Sequence, residues 1–326
     1  MISAEPMWIE VTRGGRVESR HRIDAAVCDS SGAVVDSFGD PMRPTAPRSA
    51  SKPIQALPLI LTGAADAFDL AAHELALACA SHNAEANHVD SVRAVLARAG
   101  SGVDELECGA HGPINEDADL ALIRANIAPG SEHNNCSGKH MGMLVTAHHL
   151  GEDPMGYIQP DHPVQQRVTT MMAEMCNADL STQRPGIDGC GIPVWTMPLA
   201  ELATGWARMA DGRSTDEATA AAATRLFDAM VAEPHYVAGT GRSCTRLMNS
   251  YGPRVAVKGG AEGVYCAVDR QEQLGIALKT DDGSSRGSEL AVETIIAKLL
   301  GHDAPAPTPV LNVAGTLVGE VRVAAS

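Results

Sequence analysis

Hydrophobic and polar positions follow a strand-like pattern at the two ends of the chain. Residues 22–38, RIDAAVCDSSGAVVDSF, contain two apolar runs separated by the polar turn DSSG, which predicts a β-hairpin. Short apolar runs bounded by turn residues recur at 254–269, 273–283 and 309–323. We therefore expect β-strands in both the N-terminal and the C-terminal parts of the chain.

Between these strands the apolar residues recur at helical spacing. Helices are predicted at 71–81, 88–100, about 215–232 and 288–301, the last of them ended by Gly301. Segments that are rich in Gly, His and Asn and that lack either period lie at 108–115, 131–150 and 184–199. We expect these three segments to be irregular loops.

This layout predicts an α+β fold in which an antiparallel sheet is built from both ends of the chain and a mainly helical lobe is inserted between them. The sheet lobe is expected over about 1–48 and 242–326, and the helical, loop-rich lobe over about 49–241. Because no linker, repeat or low-complexity tract interrupts the chain, we expect residues 1–326 to form one catalytic unit with a cleft between the lobes.

Composition and charge exclude several functional classes. Lys and Arg number 25 against 40 Asp and Glu, and this net charge of −15 disfavours binding to nucleic acid. No apolar run reaches the roughly 18 residues that a membrane span needs. The eight cysteines form no CxxC pair and the N-terminus lacks a signal-peptide pattern, so we expect reduced thiols in a cytoplasmic protein.

The segment PRSASKPIQALPL, residues 47–59, places Ser49 three positions before Lys52 on a predicted helix. Side chains at i and i+3 share a helix face, so the hydroxyl and the amine can touch. A lysine can deprotonate a serine if burial or a neighbouring cation lowers its pKa. The alternative is that the serine caps the helix and the lysine faces solvent.

Two later motifs favour the catalytic interpretation. Ser81-x-Asn83 follows a predicted helix, and Lys258 opens the triplet KGG on a predicted strand. The order SxxK, SxN and K-[ST]-G is that of serine β-lactamases and penicillin-binding proteins. We therefore expect Ser81 and Lys258 to form a second hydroxyl–amine pair, with the main-chain amides of Ser49 and Ala261 as an oxyanion hole. Taken separately, SxN also suits a loop cap and KGG a turn.

A second cluster, in HNNCSGKHMG and GIDGCGIP, has the chemistry of a metal site. Its candidate ligands and their neighbours are His133, Cys136, Lys139, His140, Asp188 and Cys190. Two thiolates with a nitrogen donor are typical Zn²⁺ ligands. From the residues alone, His133 or His140 is the expected nitrogen ligand, because a lysine must first lose its proton. The alternative is a pair of structural cysteines in glycine-rich turns.

Together the segments PRSASKPIQ, SHNAE, HNNCSGKHMGML, GIDGCGIP and KGGAEGVY resemble the Rhizobium-type L-asparaginases, the asparaginase II family, which has a serine β-lactamase-like fold. The resemblance implies hydrolysis of L-asparagine to L-aspartate and ammonia by a homodimer. It implies catalysis by Ser49, Lys52, Ser81 and Lys258, and one zinc ion per chain held by Cys136, Lys139 and Cys190, which replaces the histidine ligand with a lysine. The expected substrate-binding residues are Arg48, Asn83, Asp188, His140 and Ala261.

Some alternatives stay open at the level of sequence. Lys279 in LKTDDG is a rival to Lys258 as the second lysine, although KGGAEG keeps the context of the β-lactamase KTG motif. The KGG triplet itself lacks the hydroxyl of KTG or KSG. The same fold would also suit a glutaminase, a β-lactam hydrolase or a penicillin-binding peptidase. A further alternative is a non-catalytic relative that binds an amino acid or zinc.

Overall fold

The computed structural model describes residues 5–211 and 215–325. The first four residues and the last residue of the predicted sheet lobe lie outside this range, as do residues 212–214. The strands are β1 (Met7–Arg13), β2 (Arg16–Cys28), β3 (Val34–Phe38), β4 (Pro44–Thr45), β5 (Gly186–Ile187), β6 (Pro193–Val194), β7 (Met197–Pro198), β8 (Val255–Gly259), β9 (Val264–Asp269), β10 (Leu274–Thr280), β11 (Thr308–Leu311) and β12 (Leu317–Val323).

Helices fill most of the chain between the two groups of strands. They are α1 (Lys52–Gln55), α2 (Leu57–Leu61), α3 (Ala64–Ala67), α4 (Ala72–Ala78), α5 (Ala86–Arg98), α6 (Glu116–Arg124), α7 (Ser137–Leu150), α8 (Pro163–Cys176), α9 (Leu199–Asp211), α10 (Glu217–Ala232), α11 (Pro234–Val237), α12 (Ser243–Tyr251) and α13 (Ser285–Leu300). Single 3-10 turns lie at Arg48–Ser51, Val103–Glu105, Ser131–His133 and Gly252–Arg254.

One antiparallel sheet joins the two ends of the chain. Its strand order is β11-β12-β1-β2-β10-β9-β8, and β3 also pairs with β2. The long strand β2 connects the two groups, since Ile23 pairs with Met7 of β1 and Ala26 pairs with Ala277 of β10. The predicted α+β architecture, with an antiparallel sheet from both chain ends and helices between, is therefore confirmed.

Helices cover both faces of the sheet. Strand β9 is buried at every position, which requires cover on both sides because successive side chains point to opposite faces. Helix α9 packs on β2, β9 and β10, and helix α13 packs on β1, β2, β9, β10 and β12. Helix α9 comes very close to the sheet at Gly275, where a Cβ atom would lie 2.0 Å from the Ala203 carbonyl oxygen.

The turn and cap signals read from the sequence have clear counterparts. The hairpin of β2 and β3 turns at 29–32, where Asp29 accepts hydrogen bonds from the Ser31 and Ala33 amides and Gly32 has φ +94°. Helix α13 ends at Gly301 with φ +67°, as predicted. Its start differs, because the helix begins at Ser285 rather than at residue 288.

The prediction of an irregular loop over 131–150 is wrong, because residues 137–150 form helix α7. The glycines that suggested a loop serve close packing. A Cβ atom at Gly138 would lie 2.2 Å from the Leu77 carbonyl oxygen, and one at Gly142 would lie 3.3 Å from Leu59 Cδ2. Glycine therefore lets α7 approach α4 and α2 in the middle of the helical lobe, and tertiary packing outweighs its poor helix propensity.

The cysteines and the helix lengths bear on the environment of the protein. All eight cysteines are buried and unpaired. Across residues 5–211 and 215–325, none of the helices has the length and apolar character needed to cross a bilayer.

Candidate active site

Two buried lysine amines converge on the hydroxyl of Ser81. Lys52 is the first residue of α1, Ser81 lies just after α4, and Lys258 is in β8, so three separate elements build the contact. Lys52 Nζ donates to Ser81 Oγ at 2.9 Å, and Lys258 Nζ lies 2.8 Å from the same oxygen. The two lysines are each 1% exposed. This arrangement brings the predicted Ser81–Lys258 pair together.

Ser49 and Lys52 are three positions apart in the sequence, and no hydrogen bond joins their side chains among the described residues. Instead, three acceptors surround the Lys52 amine, namely the Ala80 carbonyl oxygen at 2.6 Å, Ser81 Oγ at 2.9 Å and Cys136 Sγ at 3.2 Å. An ammonium has three hydrogens to donate, so these contacts use all of them. Ser49 is half-buried, and its hydroxyl has no partner among the described residues.

The electrostatic setting of Lys258 favours a neutral amine. Burial, together with the nearby Lys52 and Arg242 cations, lowers the pKa of Lys258 to about 7. Its rival, Lys279, is only half-buried and its amine contacts the Thr280 carbonyl oxygen. Of the two lysines considered, Lys258 is thus the one that touches Ser81.

The backbone around Ser49 has an unusual conformation. Arg48 has φ +50°, a left-handed value that is uncommon for a residue with a Cβ atom. The segment also lies tightly against the residue that follows β8, since a Cβ atom at Gly260 would be 3.1 Å from the Ala50 amide nitrogen. Ala261, the predicted oxyanion-hole residue, comes next and is exposed. The SxxK segment and the KGG segment are therefore neighbours.

The three predicted metal ligands also meet. Cys136 caps the N-terminus of α7, Lys139 lies in its first turn, and Cys190 comes from the turn between β5 and β6. Lys139 Nζ donates to Cys190 Sγ at 2.9 Å. All three side chains are buried, with exposures of 7%, 3% and 4%.

Charges in this cluster polarise the two thiols in opposite directions. The hydrogen bond with Cys190 and the cations Lys52 and Lys139 hold the pKa of Cys136 well below its usual range, although burial opposes them. The same thiol–thiol hydrogen bond, with burial, raises the pKa of Cys190. Burial acts to lower the pKa of Lys139, but the sulfurs of Cys190 and Cys136 raise it overall. Cys136 is therefore the readier thiolate.

Two of the predicted substrate-binding residues form an ion pair beside the cluster. Arg48 Nε donates to Asp188 Oδ1 at 2.8 Å. Burial acts to raise the pKa of Asp188, but the Gly189 amide and Arg48 lower it overall. The pair links the Ser49 segment to the Cys190 turn, so the serine–lysine region and the thiol cluster are continuous.

Neither histidine that was considered as a nitrogen ligand has a side-chain hydrogen bond to Cys136, Lys139 or Cys190 among the described residues. His133 Nδ1 accepts a hydrogen bond from the Gly130 amide at 2.9 Å. His140 is completely buried, and its Nδ1 lies 2.6 Å from the hydroxyl of Tyr157. Burial and then the charges of Lys139 and Lys52 hold the pKa of His140 well below its usual range. Of these three candidate nitrogen ligands, Lys139 is thus the one whose side chain contacts a cluster thiol.

The side chain of Asn83 forms hydrogen bonds to a loop and does not face an open cavity. Its side-chain nitrogen donates to the Thr240 carbonyl oxygen at 2.9 Å, and its side-chain oxygen accepts from Arg242 at 2.9 Å. Glu85 binds the Thr240 amide at 2.7 Å in the same network. With both ends of its amide engaged, Asn83 suits positioning of the loop before α12 better than direct substrate binding. Arg242 was not predicted, since a lone arginine before a helix carries no motif.

A second group of possible metal ligands lies outside this site. Glu85, His88 and His235 bring ligand atoms within 4.8 Å of one another. However, His88 Nδ1 accepts from the Glu85 amide and its Nε2 donates to the His235 carbonyl oxygen. Because both ring nitrogens are engaged, His88 has no lone pair left for a metal ion.

A surface groove also lies apart from the Ser81 region. It runs between α4 and α10, and the described residues that line it include no serine, cysteine, histidine or lysine. The groove lacks the buried serine with paired lysine amines that the Ser81 region has, so side-chain chemistry identifies the Ser81 region as the candidate active site.

Comparisons with solved structures give distant likenesses. A β-lactamase from Mycobacterium bovis is 16% identical, covering 85% of this chain and 94% of that chain with a TM-score of 0.41. A structure of Mglu in its tris and glutamate form is 15% identical, covering 87% of this chain and 61% of that one with a TM-score of 0.49. A β-lactamase/D-alanine carboxypeptidase from Pseudomonas syringae is 13% identical, covering 93% and 95% with a TM-score of 0.39. No curated protein matches the chain.

The comparison with protein families is decisive for the assignment. The family model described as L-asparaginase II matches residues 9–323, from the first strand of the sheet to the last. This range includes the Ser81 contact, the thiol cluster and the Arg48–Asp188 ion pair. The chain therefore belongs to the L-asparaginase II family, which makes it an amidohydrolase.

Proposed function

We propose that the protein hydrolyses L-asparagine to L-aspartate and ammonia through an acyl-enzyme formed on Ser49. The observation that carries the proposal is the contact of two buried lysine amines with the hydroxyl of Ser81, close to a second serine that is half-buried and has no hydrogen-bond partner among the described residues. Membership of the L-asparaginase II family supports the choice of substrate.

Lys258 is the base in this proposal. With a pKa of about 7 the amine of Lys258 is neutral in about half of the molecules at pH 7, and its lone pair can then accept the Ser81 hydroxyl proton while one N–H donates to the Gly259 carbonyl oxygen. Ser81 Oγ in turn accepts a hydrogen bond from Lys52. The hydrogen bonds thus run in one direction, from Lys52 through Ser81 to Lys258.

The proton of Ser49 follows this direction when the oxygen attacks the side-chain carboxamide. Lys52 gives one of its hydrogens to Ser81 as Ser81 gives its own proton to Lys258, and the lone pair that this frees on Lys52 takes the proton of Ser49. The reverse transfer protonates the leaving nitrogen, which departs as ammonia, and water then attacks the ester. The Ser49–Lys52 contact has to form only with substrate bound, because catalytic hydrogen bonds are often long in the free enzyme.

Two main-chain amides are suited to the developing oxyanion. The Ser49 segment and the Gly260 segment are in van der Waals contact, and the amides of Ser49 and Ala261 donate to no other group among the described residues. Preorganised donors of this kind typically contribute about 10²–10³ in rate each. Their role here rests on this proximity and on the position of Ala261 after the KGG triplet.

The other end of the substrate has partners of both charges. L-Asparagine carries an α-ammonium and an α-carboxylate, which Asp188 and Arg48 respectively complement. Their ion pair would open as substrate enters, exchanging one charge partner for another of the same sign. His140 completes this end of the proposed site.

The thiol cluster fits a zinc ion. Lys139 Nζ contacts Cys190 Sγ at 2.9 Å, Cys136 acts on Cys190, and all three side chains are shielded from solvent. Two sulfurs and one nitrogen are a donor set that zinc accepts. Cys136, Lys139 and Cys190 would hold the ion, and Asp188 would lie beside it. Once bound, zinc would act as a Lewis acid that assists substrate binding. The chain's own residues carry the proton transfers.

An ammonia-release assay tests the proposal directly. Purified protein is assayed with L-asparagine and with L-glutamine, and Ser49→Ala is compared with Ser81→Ala. We expect release from L-asparagine in the native protein and none above background with Ser49→Ala. Acid quenching and mass spectrometry should locate an aspartyl ester on the Ser49 peptide.

The contrary outcomes are distinct. Near-native turnover by Ser49→Ala, with an ester on the Ser81 peptide, would move the nucleophile to Ser81. Preference for L-glutamine would change the substrate but keep the mechanism. L-Asparagine binding in calorimetry without ammonia would mean a non-catalytic relative.

Assembly and location stay predictions. The homodimer implied by the family resemblance is tested by light scattering of the purified chain, for which we expect twice the monomer mass of 34.0 kDa. Cytoplasmic location is tested by fractionation of the source cells.

A further inference from the structure

A buried histidine beside the thiol cluster has an unsatisfied ring nitrogen. His140 is 0% exposed and its Nε2 has no hydrogen-bond partner among the described residues. A buried polar group without a partner is destabilising, so its retention calls for an explanation. His140 lies one helical turn after Cys136, and residues at i and i+4 share a helix face. The ring therefore lies on the Cys136 side of α7.

The opposite ring nitrogen is held by a tyrosine that no motif singled out. Tyr157 is 0% exposed, and its hydroxyl oxygen lies 2.6 Å from His140 Nδ1. The same oxygen accepts a hydrogen bond from the Glu107 amide at 3.0 Å. The two rings meet edge to face, with centroids 5.5 Å apart.

Accounting for hydrogens fixes the direction of the Tyr157–His140 bond. A phenol has one hydrogen to donate, and burial raises the pKa of Tyr157, so the hydroxyl keeps that hydrogen. Glu107 supplies an N–H, which uses a lone pair of the oxygen and not its hydrogen. Among the described residues, His140 Nδ1 is the other group bonded to this oxygen, so the phenol must donate to it. Nδ1 therefore carries no hydrogen, and the hydrogen of the ring is on Nε2.

We propose that Tyr157 is a positioning residue that locks His140 in the Nε2–H tautomer, so that Nε2–H donates a hydrogen bond to the α-carboxylate of the bound amide substrate. This inference rests on the proposed function. A carboxylate is an acceptor only, which matches an unpaired donor, whereas the α-ammonium of the substrate would be repelled by it. His140 follows Lys139, whose amine contacts Cys190, and Cys190 comes two residues after Asp188, the partner of Arg48. This position suits the α-carboxylate rather than the scissile carboxamide.

Nitrogen NMR of the protein labelled with ¹⁵N-histidine tests the tautomer without any activity. His140 is assigned by the signals lost in His140→Gln. We expect a pyrrole-type Nε2 and a pyridine-type Nδ1 in the native protein, and loss of this fixed pattern in Tyr157→Phe. A pyridine-type Nε2 in the native protein would overturn the inference, even if asparagine hydrolysis is confirmed.

Steady-state kinetics tests the carboxylate. Tyr157→Phe should raise KM for L-asparagine about tenfold or more with a smaller change in kcat, since a hydrogen bond to a charged group is lost. It should leave kcat/KM for β-alaninamide, which lacks the α-carboxylate, unchanged. Equal losses for both substrates, or none for either, would overturn the assignment.

A matched control separates this effect from general damage. Tyr251 also lies beside a histidine ring, that of His302 at 6.2 Å between centroids, but no hydrogen bond joins the two among the described residues. Tyr251→Phe should leave both KM and the His140 signals as in the native protein. If native protein fails to hydrolyse any amide, the proposed function fails, while the NMR result still decides the tautomer.

Discussion

Lys258 and Lys139 are buried to nearly the same extent, yet their surroundings act on them in opposite ways. Lys258, 1% exposed, has another lysine amine across the Ser81 hydroxyl, and burial with that cation lowers its pKa to about 7. Lys139, 3% exposed, has two sulfurs for neighbours, and these raise its pKa despite burial. The lysine of the serine–lysine region thus loses its proton more easily than the lysine of the thiol cluster.

The difference shows that burial alone does not make a lysine a base. Desolvation penalises both ammonium groups, and the sign of the nearest charge decides which of them loses its proton. In the serine–lysine region a like charge adds to desolvation and leaves an amine that can accept a proton near pH 7. In the thiol cluster the sulfurs of Cys190 and Cys136 outweigh desolvation and favour the charged ammonium of Lys139.

The largest expected effect is the loss of Lys258. Lys258→Met keeps the volume and removes the amine, so kcat with L-asparagine should fall by about 10²–10⁴, the usual contribution of a general base. Ammonia release at saturating substrate measures it. Lys279→Met is the matched control, because Lys279 touches only a backbone carbonyl and its replacement should leave activity unchanged.

The proposed proton transfer from Ser81 to Lys258 can be tested with a double variant. If Ser81 and Lys258 act as one unit, adding Ser81→Ala to Lys258→Met should cost little more than Lys258→Met alone. Multiplying losses in the double variant would mean that the two residues act independently, and the proposed direction of proton transfer would be wrong.

The next effect concerns Lys139. Elemental analysis of the native protein should find about one zinc per chain, and Lys139→Met should lose most of it, because the nitrogen ligand is gone. KM for L-asparagine should rise while the pH dependence due to Lys258 is kept. Full zinc content in Lys139→Met, measured beside Lys279→Met as the control, would exclude Lys139 as a ligand.

A smaller effect is expected from pH. Below a pKa of about 7 Lys258 is protonated and cannot accept a proton, so kcat/KM should fall about tenfold per pH unit on the acid side and level off above it. The direction follows from the base having to be neutral in the free enzyme. A profile that stays flat through this region, with folding unchanged by circular dichroism, would contradict the role given to Lys258.

The sequence predicts the members of the site better than their contacts. Motif order identifies Ser81 and Lys258, whose contact the structure contains, because three motifs on a shared fold constrain one another. Helical spacing alone suggested that Lys52 would contact Ser49, but acceptors from distant segments, Ala80 and Cys136, hold the amine elsewhere. Sequence spacing predicts which side chains share a helix face. It does not predict which hydrogen-bond acceptors from distant segments will compete for a side chain in the folded protein.

For the fold, too, the sequence predicts local features better than tertiary contacts. Strands at both chain ends follow from apolar runs and turn signals, which are local properties of the sequence. Helix α7 was missed because Gly138 and Gly142 signal a loop locally, whereas the reason for them is the close approach of α4 and α2. Such a reason exists only once the helices are packed.

The packing of α7 against α4 connects the thiol cluster to the serine–lysine region, and the last prediction concerns a substitution that disrupts it. Gly138 lies between Cys136 and Lys139, while Leu77 in α4 leads to Ser81. A Cβ atom at Gly138 would be 2.2 Å from the Leu77 carbonyl oxygen and 2.9 Å from its carbon, both backbone atoms that cannot turn aside. Gly138→Ala should therefore lower the free energy of unfolding by about 1–3 kcal/mol, measured by denaturant titration, despite the better helix propensity of alanine.

Gly142→Ala is the control, one helical turn along the same face of α7. Its Cβ atom would meet Leu59 Cδ2 at 3.3 Å and Ala78 Cβ at 3.4 Å, which are side-chain atoms that can shift by a few tenths of an ångström. Gained helix propensity should offset this crowding, leaving the free energy of unfolding within about 1 kcal/mol of native. If both alanine variants were equally stable, the Gly138–Leu77 contact would not hold the helices together. Other contacts between α7 and α4 would then have to fix the distance from the thiol cluster to Ser81.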